Sequence, residues 1–126
     1  MARKQSPTLT ESELKIMKIV WEAAEASVGD VLSGWTDDSV PAYNTVLTTM
    51  RILERKGYLK HVKRGRAFVY QPLVNKTSAR KKAVSHMVKS FFDGSPELLV
   101  LSLMEETNLS PEDVSRLEQL LESQGE

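Results

Sequence analysis

The sequence predicts an α+β fold, mostly helical, and three observations carry that prediction. Apolar residues recur at helical spacing in six separate segments, most of them opened by a capping residue or a proline. Two short β-prone runs, Tyr58–Val62 and Ala67–Tyr70, flank a glycine-containing turn and read as a hairpin. Their order is three helices, the hairpin, then three more helices.

The elements follow in chain order. Residues 1–8 are polar and basic and read as a flexible arm. Thr10 and Glu13 form the two ends of a capping box, with Leu9 and Leu14 as its hydrophobic staple. Leu14, Met17, Val20 and Trp21 supply the apolar stripe of a first helix that runs to about Ala24. A second element starts at Ala26-Ser27, with Ser27 as cap, buries Val28, Val31, Leu32 and Trp35, and closes at Gly34 and Thr36-Asp37-Asp38. Pro41 suits the start of a third helix. Val46, Met50 and Leu53 line its inner face, and Lys56-Gly57 ends it with a cation and a residue free to adopt positive φ.

The hairpin then presents Lys63-Arg64-Gly65-Arg66 as its turn, with three cations and no carboxylate. Gln71-Pro72 ends it, and Thr77 or Ser78 caps a fourth helix over 79–92, with Arg80-Lys81-Lys82 near its start. Ser95-Pro96-Glu97 and Ser110-Pro111-Glu112 open two final helices, 96–107 and 111–123, each with a cap, a proline at the first position and an early carboxylate. The first of these is apolar nearly all round, too much for one small chain to bury.

Three helices followed by a basic hairpin form the winged helix-turn-helix plan. The expected organisation is therefore a flexible arm (1–8), a winged helix-turn-helix DNA-binding domain (9–74) and a three-helix dimerisation region (75–126). Phe91, Leu98, Leu99, Leu101, Met104, Leu117, Leu120 and Leu121 are the expected dimer interface. Two recognition helices held about 34–36 Å apart would read a dyad site.

Charge supports a polyanionic partner. The net charge of the 126 residues is zero, but residues 51–89 carry 12 basic side chains against the single carboxylate Glu54. The flanking segments are acidic, with a net −3 over 1–50 and −8 over 90–126. Such segregation says more than the total does. About 100° per residue places Asn44, Thr48, Arg51 and Arg55 opposite the buried stripe of the third helix. Asn44, Thr48 and Arg51 are the candidates for base-edge contact, since Asn pairs with adenine and Arg with guanine. Tyr43, Thr45, Arg55, Lys63, Arg64 and Arg66 are expected on the DNA backbone.

Other chemistries find no support. The chain has no cysteine, which excludes disulfides and thiolate metal sites. His61 and His86 lie in different elements without a second ligand at metal spacing, so no metal or other cofactor is expected. Nucleophile-elbow, phosphate-loop and zinc-protease motifs are missing, so an enzyme is not expected. No apolar run approaches the ~20 residues needed to span a bilayer, and no signal-type core follows the N-terminus. A cytoplasmic protein without membrane insertion is the expectation. The alternative reading is a winged-helix module whose basic face docks an acidic protein.

Several segments, taken in order, resemble the penicillinase-repressor family of the BlaI/MecI/CopY type. They are Leu9-Thr10-Glu11-Ser12-Glu13-Leu14, Val20-Trp21, Thr45-Val46, Arg51-Ile52-Leu53-Glu54-Arg55-Lys56-Gly57 and Gly65-Arg66-Ala67-Phe68-Val69-Tyr70. The resemblance covers about residues 9–123, including the C-terminal Leu-Val-Leu helix. It implies a homodimeric winged-helix repressor on dyad operators before resistance or stress genes. In one branch it also implies a membrane sensor with a cytoplasmic zinc-protease domain, and cleavage within the dimerisation helix. The matching position is Ser102-Leu103, where that branch typically has Asn-Phe, and here residues 98–104 are read as dimer core. The paired cysteines of the copper-responsive branch are absent, so that mechanism does not transfer.

Overall fold

The computed structural model describes residues 7–106 and 108–124. Of the expected N-terminal arm only Pro7 and Thr8 fall among them. In chain order the elements are α1 (Glu11–Ala23), α2 (Val28–Ser33), α3 (Tyr43–Arg55), β1 (Leu59–Arg64), β2 (Ala67–Pro72), α4 (Lys76–Phe91), α5 (Pro96–Glu106) and α6 (Pro111–Gln124). The fold is thus mostly helical with one two-stranded antiparallel sheet. Two compact units form, Met1–Val84 and Ser85–Glu126.

The first unit is built on a core of side chains from α1, α2, α3 and the hairpin. Met17, Val20, Val31, Val46, Met50 and Leu53 are each at most 1% exposed, and Ile16, Tyr58, Leu59 and Tyr70 at most 2%. Each fully buried aliphatic side chain of this size contributes about 1.5–3 kcal/mol. The expected inner stripe of α3 is therefore the stripe that is buried. Trp21, Leu32 and Trp35 are half-buried and pack against this core, and Leu14 is half-buried as well. Trp35 also lies beyond α2, which stops at Ser33.

Local chemistry sets the helix ends. Thr10 and Glu13 make both hydrogen bonds of the capping box on α1. Ser27 and Asp30 make the same box on α2. Pro41 sits one residue before the α3 N-cap, Ala42. Gly57 follows the α3 C-cap with φ +88°, a conformation that a side chain resists.

Three local expectations need correction. The hairpin pairs Arg64 with Ala67, so its loop is only Gly65-Arg66, and Lys63 and Arg64 are strand residues. Gly65 takes φ +62° at the first loop position, which lets so short a loop close. Ala26 does not start a helix. It is fully buried and bridges to Tyr70, with N–H···O distances of 2.9 and 2.8 Å in the two directions, pinning β2 to the α1–α2 connection. Lastly, α4 starts three residues earlier than expected. Asn75 Oδ1 accepts from the Ser78 N–H at 2.8 Å, so Asn75 does the capping expected of Thr77 or Ser78.

In the second unit, α5 buries no side chain, although it is the most apolar segment of the chain. Leu98, Val100, Leu101 and Met104 are 45–51% exposed, and Phe91, Leu120 and Leu121 are 61–78% exposed. Ser95 caps α5 through the Leu98 N–H, and Ser110 pairs reciprocally with Asp113 at the start of α6. No helix among the described residues is long and apolar enough to cross a membrane.

Candidate nucleic-acid interface

Burying Val46, Met50 and Leu53 fixes the rotation of α3, and the same rotation turns its polar residues outward. Asn44, Thr48, Arg51 and Arg55 are all exposed, within about 60° of one another around the helix axis. Thr48, Arg51, Glu54 and Arg55 line one shallow groove on this face. Tyr43 and Thr45 stand exposed at the helix N-terminus, and the Thr49 hydroxyl donates back to the Thr45 carbonyl at 2.8 Å. The arrangement offers amide, hydroxyl and guanidinium groups together, the types that pair with base edges and phosphates.

Glu54, the lone carboxylate of the basic stretch, does not stand free on this face. The His61 ring lies against it, with Nδ1 at 2.7 and 2.9 Å from its two oxygens. His61 belongs to β1, so this contact ties the end of the outward helix to the wing. The ring also packs on the wing, with centroids 4.8 Å from Phe68 and 5.7 Å from Tyr70. The sequence excludes His61 from a metal site but does not show this contact, because its pairing across seven residues carries no motif.

The wing cations separate into two kinds. Lys63 and Arg66 are exposed and make no ion pair among the described residues. Arg64 is exposed too, but it pairs with Glu25, which also accepts from Gln71 Nε2 at 3.0 Å. The Gln71 hydrogen bond, and after it Arg64, hold the Glu25 carboxyl below the usual carboxylate range. Together with the Ala26–Tyr70 bridge, this cluster fixes the wing to the α1–α2 connection. A contact 39 residues apart in the chain leaves no signal in sequence spacing.

The scaffold beneath is held by a buried pair. Lys56 Nζ lies 2.7 Å from Glu13 Oε1 and 2.8 Å from the Thr8 carbonyl, and both side chains are about 95% buried (5% and 6% exposed). The Tyr58 hydroxyl donates to the Pro7 carbonyl at 2.7 Å, and Lys82 stands over its ring at 5.2 Å. Burial pushes the Tyr58 hydroxyl above its ordinary value, with Glu13 adding to the shift. Among the described residues no group of His, Asp and Glu side chains gathers that could hold a metal ion.

Ser102 lies in α5, half-buried, and Leu103 follows it in the same helix, 47% exposed. The residues expected at a dimer interface all belong to the second unit, Phe91 at the end of α4 and the others in α5 and α6.

Comparison with known proteins adds independent findings. The sequence profile of the penicillinase repressor family matches residues 9–123. The chain is 29% identical over 119 residues to the penicillinase repressor of Bacillus licheniformis, covering 94% of this chain and 93% of that one. It is 23% identical over 113 residues to the methicillin resistance regulatory protein MecI of Staphylococcus aureus, covering 90% and 92%. The solution structure of the DNA-binding domain of the repressor BlaI superposes with a TM-score of 0.51 at 30% identity. That match covers 60% of this chain and 93% of the domain.

Proposed function

The chain belongs to the penicillinase repressor family, and we propose that it represses transcription as a homodimer, with one α3 in the major groove of each half of a dyad operator. The observation that carries this reading is the outer face of α3. It sets Asn44, Thr48 and Arg51 outward together, beside a wing whose Lys63 and Arg66 make no ion pair among the described residues. In this arrangement Asn44, Thr48 and Arg51 read base edges. Tyr43, Thr45, Arg55, Lys63, Arg64 and Arg66 hold phosphates, Arg64 by exchanging its Glu25 partner for the backbone. The exposed apolar residues of α4, α5 and α6 meet their counterparts in a second copy.

A membrane sensor protease that cuts at Ser102-Leu103 belongs to the same proposal. That bond lies inside α5, so cleavage would follow local unwinding rather than attack on a preformed extended strand.

Binding of the purified protein to its own upstream promoter, against random duplex over a salt series, tests the proposal. The expected result is sequence-selective binding of a dimer. The logarithm of affinity should fall with that of salt by about 0.9 per neutralised phosphate. Weak binding, indifferent to sequence, would overturn it and leave a winged-helix module that docks an acidic protein.

A further inference from the structure

A cavity of about 330 Å³ opens in the first unit between one side of α1 and the first turns of α4. Leu9, Leu14, Trp21, Ala79 and Ala83 line it, and so do three cations, Lys18, Lys76 and Arg80. Helical spacing builds it from both sides. Leu14, Lys18 and Trp21 stand at i, i+4 and i+7 on α1, while Lys76 with Arg80 and Ala79 with Ala83 are i, i+4 pairs on α4. Trp21 is fixed by its Nε1–H, which donates to the Val74 carbonyl at 2.8 Å.

The charge of this cavity has no internal counterpart. No carboxylate lines it, and none of its three cations makes an ion pair among the described residues. Lys76 and Arg80 are like charges one helical turn apart at the N-terminus of α4, an arrangement unfavourable both to each other and to the helix dipole. An anion among them relieves both conflicts. The apolar remainder of the lining and the volume suit a small organic molecule rather than an inorganic ion.

We propose that this cavity binds a small amphipathic carboxylate. Its apolar body lies against Trp21 and the leucines, and its anionic end among Lys18, Lys76 and Arg80. None of these residues belongs to the outward face of α3 or to the proposed dimer surface, so the site stands or falls separately from operator binding.

Naphthoate serves as the probe, with naphthylmethanol as its neutral counterpart, titrated against full-length Trp35→Phe so that Trp21 is the only tryptophan. The expected result is saturable quenching by naphthoate, with naphthylmethanol weaker by about tenfold or more for want of charge-assisted hydrogen bonds. Lys76→Ala combined with Arg80→Ala should weaken naphthoate by about tenfold and leave naphthylmethanol unchanged. Should Trp35→Phe fail to fold, the rise in melting temperature of the unaltered chain with naphthoate, lost in the double variant, reads the same binding. Equal quenching by acid and alcohol, or unchanged naphthoate affinity in the double variant, overturns the proposal. So does an absence of saturable quenching and melting shift alongside weakened duplex binding by the double variant, which would assign the three cations to the DNA backbone.

Discussion

Glu13 is 4% exposed, and its Oε1 accepts from the Thr10 N–H at 2.9 Å and from Lys56 Nζ at 2.7 Å. One carboxylate therefore closes the start of α1 and anchors the end of α3. Burying both charges is costly, so the pair is a poor source of net stability, but breaking it strands a charge in the core. Lys56→Met is expected to lose about 3–5 kcal/mol in urea unfolding, and Glu13→Leu added to it should recover part of that loss. Glu25 acts differently because it lies at the surface. Its folded carboxyl is depressed by Gln71 and then Arg64, so the stability it contributes is present above the unfolded carboxylate value. That stability is lost as pH falls through the lower, folded one. Melting temperatures taken from neutral to acid pH should thus separate the unaltered chain from Glu25→Gln near neutrality, with the gap closing in acid.

At the scale of elements, α3 and the wing act as one part because Gly57 turns the chain tightly between them. No atom stands within 4 Å of a Cβ built at Gly57, so Gly57→Ala meets no clash, only its φ of +88°. A loss of about 1–2 kcal/mol is expected from that backbone conformation alone, read by thermal unfolding. The groups that α3 turns outward should respond by type. Asn44→Ala or Arg51→Ala should cost about 1–3 kcal/mol at one operator position and relax preference there, whereas Lys63→Ala should weaken every duplex alike and shallow the salt slope by about one. Equal losses on all sequences from all three changes would count against base readout. Much of this part is legible in sequence because it is local. Apolar spacing marks the buried face of α3, and the Thr10–Glu13 box and the Ser27 cap mark two helix starts. What is illegible is what the chain brings together from afar: the Ala26–Tyr70 bridge, Glu25 with Arg64, Glu13 with Lys56, and Glu54 with His61. Capping at Asn75 is a different failure, since Asn75, Thr77 and Ser78 are all competent caps and packing chooses among them.

For the whole molecule, the question is where the apolar surface of the second unit goes. α5 has no fully buried side chain, and Phe91 at 78%, Leu121 at 72% and Leu120 at 61% exposure form no core there. Single exposed leucines are ordinary, but so many large side chains on three successive helices are not. The excess is visible in the sequence as a helix apolar all round; the partner that covers it is not, because one chain carries no record of its neighbour. Leu101→Glu combined with Leu120→Glu separates the two possibilities. If these residues are plain surface, both substitutions should alter stability by no more than about 0.5 kcal/mol each and leave the mass in solution unchanged. If they meet a second copy, the variant should sediment as a monomer and its melting temperature should stop depending on protein concentration. Its affinity for an isolated half-site should hold, because α3 and the wing are untouched. Its affinity for the full dyad should fall by about a hundredfold or more, since the second half-site then no longer binds as an intramolecular event. Loss of half-site and dyad binding in equal measure would instead mean that the substitutions damage the DNA-binding unit, and a single-copy repressor would follow from a dimeric mass never seen in the unaltered chain.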